Sequence, residues 1–513
     1  MEKKVLVIGA GIAGLSTGCY AAMNGYKVEV LEAHTLPGGM CTSWKRKGYT
    51  IDGSCHWVTG SAPGHSLYPV WEELGAVQGR TFVDYDYFMR LVDTDGRVFS
   101  LYTDIDRLEK HMKELSPVDA AAAEKLCGLI RTFLDFSMPP GKPGELMGAL
   151  DGFRMMRRFA PWMKPFRELG QVTMSELTST IKDPLLREGL RNAMFGTSDS
   201  LFPLVMTLGP MSKRQSGYPV GGSLAFARAI EARLKSLGGT VSYGARVQKI
   251  LVQNGRAAGV LLTEGREISA DYVISASDLR ATLFSMLDGS RVHPAHQELL
   301  DHGALMDPMV QVSFGVDRDF SGEARGMTEA FKLPNPITVG GRRVEWFNAK
   351  HYGYDPTVAP AGKSVLVSMF PAEWAYWEKL AGDPQAYAAE KARIEAVCRK
   401  ALAQRYPDIE DKIEMVDVAT PLTYRRYTSN WKGAYMTWNV TPEFRRKYRF
   451  IPKTVPGLEN FYLASMWTNA PGGLPGAALA GREVVQILCA RDRRKFVTTK
   501  APGRGAQGGV AAA

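Results

Sequence analysis

The chain opens on an apolar run, Val5-Leu6-Val7-Ile8, of the kind a parallel strand buried on both faces requires. A glycine-punctuated turn from Gly9 to Gly14 follows, then a helix-compatible stretch over residues 15–24 that Gly25 is placed to stop. A second strand, Val28-Glu29-Val30-Leu31, ends at Glu32, so this region predicts one βαβ unit. In mid-chain, residues 224–237 have helical character between Gly221-Gly222 and Gly238-Gly239. Alternating runs at 240–243, 246–253 and 257–262 predict a β-meander, and 271–276 another buried strand. Near the end, 460–464 predicts a short strand, followed by a glycine loop and a helix over 476–490.

Two long insertions, 76–217 and 295–455, separate these pieces. The first is rich in Met, Pro and basic residues; the second mixes strand-like runs at 309–316 and 364–370 with many aromatics. At roughly 150 residues per domain, such a length predicts about three units or two larger ones.

Composition removes several classes. Hydrophobic residues make up 45% and charged residues 23%, which excludes disorder as the main state. Six cysteines without a CxxC exclude a disulfide scaffold and a zinc ribbon; reduced thiols in the cytosol are expected, and no metal. The net charge is +10, but residues 491–513 hold six basic residues against one acidic. The remaining excess is too diffuse for a nucleic-acid groove. That basic Gly/Ala-rich tail is expected to be disordered. Val5 to Tyr26 carries no charge, yet its five glycines break it into strand, turn and helix rather than a leader or an anchor. The uncharged stretch 461–481 contains Pro471 and Pro475 and cannot be a continuous spanning helix.

The chemistry begins at Gly9-x-Gly11-x-x-Gly14, directly after a strand and opening a helix. Gly9 allows the tight turn, Gly11 lets the backbone approach a pyrophosphate, and Gly14 lets helix and strand pack closely. Glu32, 18 residues after Gly14, stands where a carboxylate can hold a ribose hydroxyl. Gly38-Gly39 follow, then Met40 and "GYTIDGSCHW" from Gly48 to Trp57. Tyr218-Pro219-x-Gly221-Gly222 precedes the mid-chain helix, and "NFYLASMWTNAPGGLPGAALAG" closes the pattern at Gly481. No second GxGxxG follows a strand downstream, so the hydride partner lacks a dedicated nucleotide domain. It is the organic substrate, a quinone, oxygen or a transient donor.

In these blocks the chain resembles the phytoene desaturase superfamily of flavoproteins, which includes carotenoid cis–trans isomerases and retinol saturases. The resemblance spans both ends and the middle in register. It implies an α/β fold with a Rossmann-type FAD-binding domain made of 1–75, 218–294 and 456–490, and an inserted α+β substrate domain made of 76–217 and 295–455. It implies FAD held by Gly9, Gly11, Ala13, Gly14, Glu32, Ala33, Gly38, Gly39, Met40, Val247, Ser275, Gly473, Pro475, Gly476 and Ala477. His56 is the candidate proton donor or polar cavity wall, with a structural histidine as the alternative; Trp57, Trp467 and Asn469 are candidate walls. Cys55 and His56, adjacent on an expected strand, would point to opposite faces and cannot form a nucleophilic pair.

The expected activity is FAD-dependent oxidation, reduction or isomerisation at carbon–carbon bonds of an apolar isoprenoid or polyene. A flavin amine oxidase is the enzymatic alternative, and a non-catalytic Rab-escort-like binder a third, in which the C-terminal flavin block would have no role. Residues 137–174 combine Met147, Leu150, Phe153 and Trp162 with Arg154, Arg157, Arg158 and Lys164. That mixture suits a segment lying on an anionic membrane face; the same residues would otherwise roof the substrate cavity of a soluble protein.

Overall fold

A computed structural model describes residues 2–194, 199–448, 450–470 and 472–502. Its organising element is a five-stranded parallel sheet drawn from widely separated parts of the chain. The strands are β1 (Lys4–Ile8), β2 (Lys27–Leu31), β3 (Thr240–Ser242), β4 (Tyr272–Ser275) and β5 (Phe461–Leu463), in the order β3-β2-β1-β4-β5. Val7 lies between Val30 and Ile274, so the expected apolar run is central and covered on both faces. Helices α1 (Ile12–Met23), α2 (Gly222–Ser236) and α3 (Gly473–Arg491) pack around it.

The composition of α1 follows from its place. Residues 12–21 are all buried, so the helix has no polar face and is built from small and apolar residues. Its contact with α3 is close: a Cβ on Gly481 would stand 2.5 Å from Thr17 N and 2.8 Å from Ala13 O. The Ser16 hydroxyl donates to the Ala478 carbonyl across the same seam (2.7 Å).

Three expectations need correction. The run at 240–242 is not a meander strand but the parallel edge β3; the meander is Val247–Gln253, Arg256–Leu262 and Glu267–Ser269. Helix α3 begins at Gly473 rather than 476, because the glycine loop itself winds into its first turn. The basic tail is ordered as far as residue 502. Val497 N donates to Asn24 Oδ1 (2.8 Å), Arg233 Nη2 to Thr499 O (2.9 Å), and Lys500 pairs with Glu72 (2.8 Å). Its charges find partners on the nucleotide-type domain, which offsets the chain entropy of fixing it; the rest of the tail, 503–513, lies outside the described residues.

The two insertions share a seven-stranded sheet. Its order is Ile413–Ala419, Met309–Val316, Ser364–Pro371, Arg342–His351, Gly326–Val339, Tyr87–Val92 and Val98–Tyr102. Tyr87–Val92 from the first insertion pairs in parallel with Gly326–Val339 from the second; all other pairings are antiparallel. The rest of the first insertion is mostly helices and loops, with Phe82–Val83 and Ser216–Pro219 forming a small sheet with Val58–Thr59. No helix among the described residues is long and apolar enough to cross a membrane.

Candidate active site

A cleft of about 460 Å³ runs across the carboxyl ends of β1, β2 and β4, and then past residues 427–430, 435 and 436 of the second insertion. β1 has neighbours on both sides that leave in opposite directions, the position where open parallel sheets receive dinucleotides. Gly9, Gly11, Ala13, Glu32, Ala33, Gly38, Gly39, Met40 and Val247 line one end; Gly473, Pro475 and Ala477 line the other, with His56, Trp57 and Trp467.

The glycines have distinct tasks. Gly9 takes φ +97°, a turn that side-chain-bearing residues rarely adopt. Gly14 faces away from the cleft: a Cβ there would stand 1.8 Å from the Gly9 carbonyl oxygen. Gly38 N donates to Ala10 O (2.8 Å), which seats the glycine pair against the first turn. Glu32 is buried and accepts from Ala10 N (2.7 Å) and His34 N (2.8 Å). A carboxylate has about four acceptor directions, so ribose hydroxyls can share it.

The site fits FAD on its own geometry. Neither α1, capped by Gly11, nor α3, capped by Gly472, has a side-chain hydrogen bond at its N-terminus. Both therefore present free N–H groups and the positive end of a helix dipole to the cleft, as a dinucleotide's phosphates and an electron-accepting ring would require. A Cβ on Gly11 would meet nothing nearer than 3.9 Å, so bare backbone borders open space.

Three more expected contacts lie elsewhere. Ser275 is fully buried and its hydroxyl engages Thr282 Oγ1 (2.7 Å); the next residues, Ala276 and Ser277, face the cleft instead. Asn469 turns away and donates to Glu483 (3.2 Å), while Gly476 packs under the Asn469 carbonyl. Trp467 borders the cleft but is 2% exposed, its ring edge-on to Trp438 at 5.3 Å, so most of it is core.

Cys55 and His56 lie in a bend between strands Tyr49–Asp52 and Val58–Thr59, not on a strand. Burial pushes the Cys55 thiol well above its usual range, leaving no thiolate for nucleophilic work. The His56 Nε2 sits 3.3 Å from Tyr435 Oη. Burial, reinforced by the positive charge of Lys350, pushes its imidazole down to about 3. The ring is therefore neutral at physiological pH and cannot serve as an imidazolium acid; it is a polar wall. Because 3 lies below the 6.5 of a free imidazole, the unfolded chain takes up a proton that the folded one refuses. Stability from His56 is complete above pH 6.5 and lost as pH falls toward 3. Its Cε1 proton resonance should stay fixed from pH ~8 to ~5, assigned by its disappearance in His56→Gln; a midpoint near that of free imidazole would refute this.

Sequence reasoning missed several walls. Arg246 precedes Val247, and Asp278, pushed up to about 6 by burial, follows β4. Tyr427 to Asn430 reach over from the second insertion, with Tyr427 edge-on to His34 at 5.1 Å. Tyr435 and Met436 arrive from the same insertion, and Thr207 from the helix Phe202–Ser212. Only the adjacency of Arg246 to Val247 carried a signal.

Comparisons with known proteins agree with this geometry. The chain is 23% identical to a lycopene-forming phytoene desaturase from Pseudescherichia vulneris, covering 95% of this chain and 99% of that protein. It is 25% identical to a chloroplastic prolycopene isomerase from Arabidopsis thaliana, covering 84% and 73%. The cyclohexylamine oxidase structure from Brevibacterium oxydans superposes with a TM-score of 0.59 over 96% of this chain and 100% of that one, at 15% identity, which shows a shared fold. The model of flavin containing amine oxidoreductases matches residues 12–489, and the chain belongs to that family of FAD-dependent enzymes.

Proposed function

We propose that this protein binds FAD in the cleft and acts on carbon–carbon bonds of an apolar isoprenoid or polyene. In this reading residues 1–75, 218–294 and 456–490 hold the cofactor, and the two insertions hold the substrate. The observation that carries it is the character of the wall opposite the ring position. Trp57, Tyr435, Met436, Met466 and Leu474 make it largely apolar. The acids among the described residues of the cleft are Glu32, which this reading gives to the ribose, and Asp278, which accepts from Ala281 N and Trp431 N; neither belongs to that apolar wall. That favours a polyene over the amine alternative, as do the names of the two relatives above.

The flavin supplies the two-electron chemistry when bound. The chain's own residues do the rest. The glycine loops and two helix N-termini hold its phosphate and ring ends, Glu32 its ribose, and the aromatic wall aligns the substrate and keeps water out. Desaturation, saturation and isomerisation all use this arrangement, and a membrane-dissolved quinone suits the role of electron partner. After reconstitution and gel filtration, the protein should be yellow and release FAD on denaturation; a colourless preparation that takes up no FAD would sink the reading.

The same reading includes a membrane contact at 137–174. The helix Ala149–Phe159 buries none of its residues, and Leu150, Phe153 and Met156 are 75%, 64% and 65% exposed on one side of it. Beneath it Phe159, Trp162 and Phe166 pack on Phe133 and Phe136, so the segment roofs the protein with its inner face while offering its outer one. Each exposed basic residue contributes about 1 kcal/mol on an anionic surface. Neutralising Arg154, Arg157 and Arg158 should therefore weaken flotation with anionic liposomes by about 100-fold at low salt. Unchanged flotation would leave only the roofing role.

A further inference from the structure

Behind the cleft wall lies a buried cation that the chemistry above does not use. Lys350, near the end of strand Arg342–His351, is 4% exposed. Its Nζ donates to Tyr85 Oη (3.0 Å) and lies 4.5 Å from the ring centre of Tyr352 and 5.0 Å from that of Tyr218. No carboxylate among the described residues approaches it within ion-pair distance. Asp52, the buried acid whose charge it feels most, is held on the far side of Tyr218. That carboxylate accepts from Tyr218 Oη (3.1 Å), Ser223 N (3.0 Å) and the Ser223 hydroxyl. Tyr218 thus gives its hydroxyl to the anion and its ring face to the cation.

The connections converge on one stretch of chain. Tyr85 Oη donates to the His56 carbonyl (2.6 Å), Ser223 Oγ accepts from Cys55 N (2.8 Å), and Asp52 accepts from Ser54 N (3.3 Å). Ser54, Cys55, His56 and Trp57 are the cleft wall itself. A methionine would fill the same space without the cost of burying a charge, and replacing buried pairs by apolar residues is often neutral or stabilising. The cage holds the ammonium by cation–π and hydrogen-bond contacts without cancelling it through a direct ion pair. Its positive potential therefore extends through the low-dielectric wall into the cleft.

We propose that Lys350 is a positioning residue for the redox reaction: its caged ammonium, set behind His56, biases the cleft toward the electron-rich, reduced form of the bound flavin. This rests on the reading that the cleft holds FAD. A fixed positive charge beside a group that gains negative charge on reduction raises its midpoint potential. The groups facing Lys350 are Asp52, Cys55 and Asp355, with Tyr85, Tyr218, Tyr352 and Tyr354 around it. Burial pushes the ammonium down to about 8 from 10.5, so the bias should fade as pH rises through 8.

The test is the flavin midpoint potential of the holoenzyme, by dye equilibration, in wild type, Lys350→Met and the doubly neutral Lys350→Met/Asp52→Asn. Asp52→Asn alone is measured as the reference for the double variant, and that pair keeps the test available should Lys350→Met fail to fold. Both variants should bind FAD; Lys350→Met should shift the reduction equilibrium toward oxidised flavin by about tenfold, about 30 mV for two electrons, and the double variant, which also loses the opposing charge of Asp52, should shift it less. The gap from wild type should narrow above pH ~8. Loaded Lys350→Met with the wild-type potential, or a loaded double variant with the potential of Asp52→Asn alone, would overturn the proposal, whatever its melting temperature. A wild-type protein that takes up no FAD would overturn the reading of the cleft instead. The His56 titration of the apo protein would then decide: an upward shift in Lys350→Met upholds the field at the wall, and no shift refutes it.

Discussion

Gly14→Ala should abolish FAD binding and destabilise the protein, although it adds one methyl group. The new Cβ would stand 1.8 Å from the Gly9 oxygen, 3.0 Å from the Gly9 carbonyl carbon and 3.3 Å from the Ala276 Cβ. Two of these neighbours are backbone of the first turn, and the third lies just past β4, so none is the free end of a side chain. Helix α1 cannot retreat, because α3 backs it at Gly481 within 2.5 Å of Thr17 N for a built Cβ. Relief must come from opening the turn that, in the proposed reading, would cradle the phosphates. Overpacking of a rigid site costs about 3 kcal/mol, and a displaced turn should cost at least ~100-fold in FAD affinity. Thermal melts with and without FAD, together with flavin fluorescence titration, read both effects. Gly152→Ala is the control: nothing lies within 4 Å of its Cβ, and a helix-interior Gly→Ala change gains about 0.5–1 kcal/mol. Wild-type FAD affinity in Gly14→Ala would refute the close-packing account of the first turn.

Asp52→Ala should be the other severe change, costing about 3–5 kcal/mol in urea unfolding. It removes the counter-charge of Lys350 and strands the Ser223 N–H, the Ser223 hydroxyl and the Tyr218 hydroxyl, all buried. Burial alone raises the Asp52 carboxyl above its ordinary value, and these donors with Lys350 work against that rise. Pairing Asp52→Ala with Lys350→Met should recover part of the loss, since the lone buried cation goes with its partner. Strictly additive costs for the two changes would show that the groups are uncoupled.

What was legible in the sequence is what short-range backbone geometry dictates. The Val5–Ile8 run, the glycines after it and Glu32 at the end of β2 lie within one βαβ unit, where spacing fixes position. Gly38, Gly39 and Gly473 show as glycine pairs because their backbones turn with φ of +109°, +60° and +70°. The edge strand β3 was misassigned because its pairing partner, β2, lies about 210 residues earlier and nothing local distinguishes a parallel edge from a meander. Likewise, Tyr427 and Tyr435 look like any aromatic in an insertion until the second sheet brings them over the nucleotide loops. The Lys350 cage was illegible for the same reason: its rings come from residues 85, 218 and 352, and its anion from residue 52. Ser275 lies one residue before the cleft-lining Ala276, and Asn469 turns to Glu483; spacing along the chain does not resolve such side-chain directions.

The account stands most directly on what the loaded cleft does to a polyene. FAD-reconstituted protein is incubated anaerobically, with oxidised or dithionite-reduced flavin, on anionic liposomes carrying a set of linear isoprenoid polyenes, and the extracts are resolved by chromatography with absorbance detection. A change in the number or geometry of conjugated double bonds, requiring bound FAD, is expected in at least one of the two redox states. Polyenes returned unchanged in both states, while an amine bleaches the oxidised flavin, would contradict it.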